Sequence, residues 1–132
     1  MADYKVVRAA DVPDQAPNFG LTADQLEIRF YRNDLGCEHC GVSYARYGKD
    51  WRPTRGHRHK RQEEVYVLVS GRAQCKVGDD VVDLEPWTAI RVPNYEARAL
   101  RAVGDEDAVF VLVGAPNTGP GDAENVEDFW TE

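Results

Sequence analysis

Short runs of apolar and β-branched residues alternate along the chain with clusters of turn-forming residues, at a spacing of roughly 8–12 positions. In residues 26–32 every second side chain is apolar, so that Leu26, Ile28 and Phe30 share one face of an extended strand. Similar runs occupy residues 42–47, 64–69, 73–77, 81–84, 88–92, 96–102 and 108–113. Helical periodicity is nearly absent. The pattern therefore predicts an all-β protein of antiparallel strands packed as a sandwich or barrel.

Two stretches predict the place of particular strands. Gly78-Asp79-Asp80 lies between two strand-forming runs and predicts a tight hairpin turn. Residues 108–113 are almost wholly apolar, which predicts a central strand that is buried on both faces.

The distribution of turns and prolines also predicts how the chain is organised. Residues 1–20, which include Pro13 and Pro17, predict an irregular N-terminal arm, and residues 21–115 contain the predicted barrel. Residues 116–132 begin with a loop rich in glycine and proline and end with Val126, Phe129 and Trp130. These apolar side chains predict a C-terminal tail that docks on the barrel.

Composition and charge narrow the class of protein. The 132 residues suit one domain, and 42% apolar with 30% charged residues indicates a globular protein. With 23 acidic against 16 basic residues the net charge is −7, which disfavours nucleic-acid binding, and no apolar run reaches the ~20 residues that span a bilayer. The N-terminus lacks the pattern of an export signal, so we expect a cytoplasmic protein with reduced cysteines.

The candidate chemistry lies in His57-Arg58-His59, which Glu63 and Glu64 follow. Residues two apart on a strand face the same side, so both imidazoles can reach one point. Two ring nitrogens and one carboxylate oxygen suit Fe, Mn, Ni or Zn and leave positions open for substrate. Alone, the two histidines are a weak signal, because they lie in a segment rich in arginine and lysine.

The spacing that follows these histidines resembles the first motif of the cupin superfamily: His-x-His, four residues, Glu, six residues, Gly. His57, His59, Glu64 and Gly71 match every position. The resemblance implies a cupin jelly roll, or double-stranded β-helix, of two antiparallel sheets. It implies His57, His59 and Glu64 as metal ligands, with Glu63 as the alternative carboxylate.

The second cupin motif, Gly, five residues, Pro-x-Gly, two residues, His, is matched only in part. Pro93 agrees, whereas Trp87 and Tyr95 stand at the two glycine positions. Arg98 stands where the resemblance implies a fourth histidine ligand. Arginine stays protonated and has no lone pair to donate, so it cannot bind the metal.

Three arrangements of Arg98 stay open at this point. It can lie beside a three-ligand metal site and bind an anionic group of the substrate. It can instead pair with Glu64, so that its charge replaces the metal in a metal-free pocket, or it can point to solvent. A guanidinium close to His57 and His59 is expected to lower their pKa values.

The other candidate side chains are an aromatic residue and three thiols. Tyr66 follows Glu64 by two residues, so we expect its hydroxyl on the same face, as a catalytic candidate beside Arg98. Cys37 and Cys40 flank Glu38-His39 without the further ligands of a zinc site, which predicts two ordinary loop thiols. Cys75 is predicted to lie in the core.

For function, the resemblance implies a metal-dependent enzyme of the oxygenase or isomerase type that acts on a small anionic molecule. One alternative is a metal-free small-molecule-binding or epimerase-like protein that uses His57 or His59 as a base. The other is a non-catalytic barrel that binds a partner. The resemblance also implies a homodimer formed through sheet edges, to which residues 26–32 would contribute. Because cupins carry out many reactions, the family alone does not select one.

Overall fold

Two five-stranded antiparallel sheets form the protein, whose computed structural model describes residues 1–132. Their orders are β1-β2-β9-β4-β7 and β10-β3-β8-β5-β6. The strands are β1 (Leu26–Phe30), β2 (Gly41–Tyr47), β3 (Gly56–His59), β4 (Glu63–Ser70), β5 (Arg72–Val77), β6 (Asp80–Leu84), β7 (Ala89–Val92), β8 (Arg98–Val103), β9 (Ala108–Ala115) and β10 (Ala123–Val126). The all-β prediction is confirmed.

The chain also contains three short helical segments. Two are 3₁₀ turns in the N-terminal arm, at Ala9–Asp11 and Ala16–Phe19. The third, α1, is a single turn at Arg32–Leu35, and Gly36 ends it with a left-handed φ of 70°. None of these segments is long and apolar enough to cross a membrane.

The alternation in β1 and β9 shows how the sequence pattern becomes burial. Leu26 and Ile28 are buried as predicted, but Phe30, at the end of β1, is exposed. The central position predicted for β9 is confirmed, since it pairs with both β2 and β4. Its burial on both faces is not: Ala108 and Phe110 are buried, whereas Val109 and residues 111–113 are only partly covered.

The hydrophobic core lies between the sheets and takes residues from both of them, among them Leu68, Leu84, Leu100 and Phe110. Cys75 belongs to this core as predicted, and burial raises the pKa of its thiol to about 12. The thiols of Cys37 and Cys40 are free and partly exposed.

The C-terminal segment packs against the strand that carries the histidines. Strand β10 pairs antiparallel with β3. The polar sequence of β10, Ala-Glu-Asn-Val, did not predict a strand. Beyond it, Trp130 is buried under the guanidinium of Arg101, 3.8 Å from the ring centroid. The ring of Phe129 fills the space in front of Gly56, where a Cβ would stand 2.6 Å from Cδ2 of the ring.

Candidate metal centre

Adjacent strands of the chain, one from each sheet, bring two imidazoles and one carboxylate together. His57 and His59 lie on β3, and Glu64 lies on β4 after a three-residue connection, residues 60–62. The Nε2 atoms of His57 and His59 lie 3.2 Å and 3.1 Å from Oε1 of Glu64. The rings stand nearly perpendicular, at 84°. The two histidines therefore face one point, as their spacing predicts.

These separations fit a bound divalent ion. Ligands at right angles around an ion, each at about 2.1 Å, are about 3 Å apart. The ligand atoms of His57, His59 and Glu64 all lie within 4.8 Å of one another. Glu63, the alternative carboxylate, points away: it is exposed and pairs with Arg91 at 3.2 Å.

Arg98 is completely buried beside this group, so the solvent-facing arrangement is wrong. It lies opposite His57 in the β3–β8 pairing. Its Nε donates to the hydroxyl of Tyr66 at 3.1 Å, and its Nη1 donates to the carbonyl of Glu96 at 2.8 Å. Its Nη2 lies 3.5 Å from Oε1 of Glu64 and makes no hydrogen bond. The site thus contains a buried guanidinium with one nitrogen that is ion-paired with Glu64 but makes no hydrogen bond.

The carboxylate of Glu64 is the electrostatic centre of the site. Besides the histidine contacts, Oε1 accepts a hydrogen bond from the Tyr66 hydroxyl at 2.6 Å. Burial opposes ionisation of Glu64, but the hydrogen bonds from His57 and His59 outweigh it and hold the pKa far below its usual value. Burial and the charge of Glu64 raise the pKa of Tyr66. At neutral pH, Glu64 is therefore ionised and Tyr66 is a hydrogen-bond donor.

His59 has a second carboxylate behind it. Its Nδ1 lies 2.9 Å from Oδ2 of Asp122, which is nearly buried. Burial favours the neutral imidazole, but Glu64 and Asp122 outweigh both burial and the charge of Arg98, so the pKa of His59 is raised. The lowering expected for His59 from the guanidinium is therefore wrong, because two carboxylates face this ring.

Asp122 is the site residue that sequence reasoning missed. It lies 63 residues after His59, in a segment whose apolar residues predicted only docking. No spacing rule connects the two positions, and only the pairing of β10 with β3 brings them together.

Two aromatic residues occupy the glycine positions of the second motif. Trp87 adopts a φ of 68°, the left-handed region that favours glycine, and it is 74% exposed. Tyr95 is 69% exposed, in the loop between β7 and β8. Neither is buried with the ligand group. His39, exposed near Cys37 and Cys40, also lies outside it.

Comparison with known proteins agrees with this geometry. The family model described as Cupin domain matches residues 48–114, about half of the chain. Glucose-6-phosphate isomerase from Pyrococcus furiosus is 32% identical in an alignment of 82 positions that covers 57% of this chain and 43% of that protein. The chain thus spans less than half the length of this relative.

Solved structures share the fold. A cupin protein from Bacteroides fragilis has 18% identity and a TM-score of 0.67, with 90% of this chain and 89% of that one covered. A variant of Streptomyces Pac13 with uridine has 17% identity and a TM-score of 0.71, with 97% and 93% covered. Pac13 is described as a nucleoside dehydratase. The family match over residues 48–114 agrees with the two packed antiparallel sheets and with the His-His-Glu group. The chain therefore belongs to the cupin family.

Proposed function

We propose that this cupin is a metal-dependent isomerase that acts on a small molecule with an anionic group. His57, His59 and Glu64 would hold the divalent ion, which is Fe, Mn, Ni or Zn. Arg98 and Tyr66 would contact the substrate. The observation that carries the proposal is the fully buried Nη2 of Arg98, which makes no hydrogen bond, beside three metal-ligating atoms.

The metal part of the proposal rests on the donor set. When bound, a divalent ion polarises a substrate oxygen and stabilises the charge that develops there. In the chain itself, the hydrogen bonds from His57 and His59 lower the pKa of Glu64, so the carboxylate is ionised and available for an ion at neutral pH. The three ligands leave further coordination positions open to a substrate.

The anionic substrate follows from Arg98. Its Nη2 makes no hydrogen bond, although Oε1 of Glu64 lies 3.5 Å away. A buried donor left without a hydrogen bond costs about 1–3 kcal/mol, and a carboxylate or phosphate oxygen of a substrate would satisfy it. Such an anion would also offset the repulsion between the guanidinium and the ion. Tyr66, whose hydroxyl proton is donated to Glu64 in the free site, would redirect that hydrogen bond to a substrate oxygen.

The isomerase type is supported by the glucose-6-phosphate isomerase relative, whose substrate carries a phosphate. The oxygenase alternative predicts consumption of dioxygen when the metal-loaded protein meets its substrate. An oxygen electrode distinguishes the two types, since an isomerase consumes none.

Binding experiments test the substrate class. We expect sugar phosphates or sugar carboxylates, but not the neutral sugars, to raise the melting temperature of the metal-loaded protein. Arg98→Gln should abolish this shift and Arg98→Lys should weaken it, because lysine lacks the planar pair of donors. Arg91→Gln is the matched control, since Arg91 forms an exposed ion pair with Glu63. Equal shifts with neutral sugars, or an unchanged shift in Arg98→Gln, would contradict the proposal.

A second candidate is a metal-free, epimerase-like protein in which His57 or His59 is the base and Arg98 replaces the charge of the ion. The observation that favours it is that His57, His59, Tyr66 and Arg98 all converge on Oε1 of Glu64. Here His57→Ala alters ligand binding although neither protein contains metal. In a non-catalytic, partner-binding barrel the same substitution changes no ligand binding.

We also propose the homodimer and the cytoplasmic location that the sequence predicts. Light scattering combined with size-exclusion chromatography tests the dimer: twice the 14.8 kDa chain mass is expected, and the mass of one chain would contradict it.

A further inference from the structure

The C-terminal segment extends the ligand group by one carboxylate. We propose that Asp122 is a positioning residue: it accepts the Nδ1–H of His59 and so keeps the Nε2 atom of that ring directed to the metal. This inference rests on the proposed function, because it assigns Asp122 a role in the same site.

The carboxylate of Asp122 is held on both oxygens. Oδ1 accepts the backbone N–H of Arg61 at 3.0 Å, and Oδ2 accepts that of Gln62 at 3.3 Å. The backbone N–H of Lys60 donates to the carbonyl of Asp122 at 2.9 Å. Three consecutive amides between β3 and β4 therefore fix this residue. The same connection, residues 60–62, joins the strand of the two histidines to that of Glu64. The Asp122 carboxylate is therefore held in a fixed position relative to all three ligands.

The contact with His59 determines what the ring can offer to the site. A neutral imidazole carries its proton on one nitrogen, and a hydrogen bond at one nitrogen directs the lone pair of the other. When an ion takes the place of the Nε2 proton, the remaining ring proton lies at Nδ1, where it faces Oδ2 of Asp122 at 2.9 Å. Metal-binding histidines commonly have such a carboxylate behind them, and its loss typically weakens metal binding 10–100-fold.

The two histidines differ in this respect. The His59 side chain is only 10% exposed and is held at both nitrogens, by Glu64 and Asp122. The His57 side chain is 37% exposed, and its hydrogen bond runs from Nε2 to Glu64. Asp122 thus orients one ligand of the pair. It immediately precedes β10, whose first residue, Ala123, pairs with His59 in the β10–β3 register.

Nuclear magnetic resonance of the full chain tests the orientation without metal. In ¹⁵N-histidine-labelled protein we expect a downfield, exchange-protected Nδ1–H signal from His59, which Asp122→Asn shifts or removes. The His39→Gln variant, changed at an exposed position, simplifies the assignment. Glu124→Gln is the matched control, because Glu124 lies on the same strand and pairs with Arg58 on the surface. It should leave the signal unchanged.

Zinc affinity, measured by competition with a chelating dye, tests the consequence. Asp122→Asn should bind Zn²⁺ 10–100-fold more weakly than the wild type, while Glu124→Gln should stay within about twofold. An Nδ1 without a proton in wild-type His59, or unchanged zinc affinity in a folded Asp122→Asn variant, would overturn the inference. If the variant does not fold, the wild-type spectrum still shows whether Nδ1 of His59 carries the proton that Asp122 accepts. A wild type that binds no divalent ion refutes the proposed function, whereas the Nδ1–H signal still decides the contact with Asp122.

Discussion

The Nη2 atom of Arg98 lies 3.5 Å from Oε1 of Glu64, within a group of side chains that can also hold a metal ion. A permanent cation therefore stands at the sequence position where the second cupin motif has its fourth ligand. Its charge opposes a second cation, and its Nη2, which makes no hydrogen bond, favours an anion. Metal and anionic substrate should consequently support each other's binding at this site.

Replacing Arg98 by histidine separates these two effects. Arg98→His removes the guanidinium charge and supplies a fourth nitrogen ligand, so we expect metal affinity to rise by at least about tenfold. The stabilisation by anionic ligands should disappear in the same protein. Titration with Zn²⁺ and thermal shift with sugar phosphates measure both properties. Arg91→His, on the surface, should change neither. An unchanged metal affinity in a folded Arg98→His protein would show that Arg98 does not oppose the ion.

The contact between the tail and β3 predicts a steric effect at Gly56. A Cβ at this position would stand 2.6 Å from the Phe129 ring and 2.9 Å from the carbonyl of Arg98. Gly56→Ala should therefore lower the free energy of unfolding by about 1–3 kcal/mol and loosen the tail. Denaturant unfolding measures the first effect and Trp130 fluorescence the second. Gly119→Ala, with nothing within 4 Å of its Cβ, should leave both unchanged. A wild-type stability for Gly56→Ala would refute the close packing of the tail.

The contacts of Asp14 predict how the free energy of unfolding depends on pH. Its Oδ1 accepts the backbone N–H groups of Ile28 at 2.9 Å and Ala16 at 3.0 Å, which joins the arm to β1. Burial raises the pKa of this carboxyl, but the two hydrogen bonds outweigh it and the net pKa is lowered. A lowered pKa in the folded state stabilises the protein above the usual carboxyl pKa, and this contribution is lost as the pH falls through the lowered value.

Asp14→Asn should therefore be less stable than wild type by about 1 kcal/mol at neutral pH, and the difference should shrink in acid. Urea unfolding at a series of pH values checks this, with the exposed Asp11→Asn as control. A difference that stays constant as the pH falls would mean that the charge of Asp14 makes no contribution.

The local pattern of apolar and polar residues in the sequence predicted most of the fold and part of the site. Alternation predicted β1, and the two-residue spacing predicted that His57 and His59 face one point, because both follow from the geometry of a single strand. The choice of Glu64 over Glu63 came from the resemblance to the cupin motif. The burial of Arg98 was left open, since a charged side chain is buried only where its partners are, and these lie on other strands.

The role of Asp122 was beyond sequence reasoning for a different reason. Its approach to His59 depends on the pairing of a short polar strand, β10, with β3. The alternation of apolar and polar residues predicts neither β10 nor this pairing. Long-range pairing of this kind is decided by the whole sheet and not by the residues of the strand.

The most direct test of a His57–His59–Glu64 metal site is elemental analysis of untagged protein, purified without chelators and reconstituted under anaerobic conditions. We expect near-stoichiometric Fe, Mn, Ni or Zn in the wild type and in His39→Ala, whose histidine is exposed. We expect no bound metal in the His57→Ala/His59→Ala double variant. A wild type without metal after reconstitution, or a double variant that retains it, would contradict a metal site at these three residues.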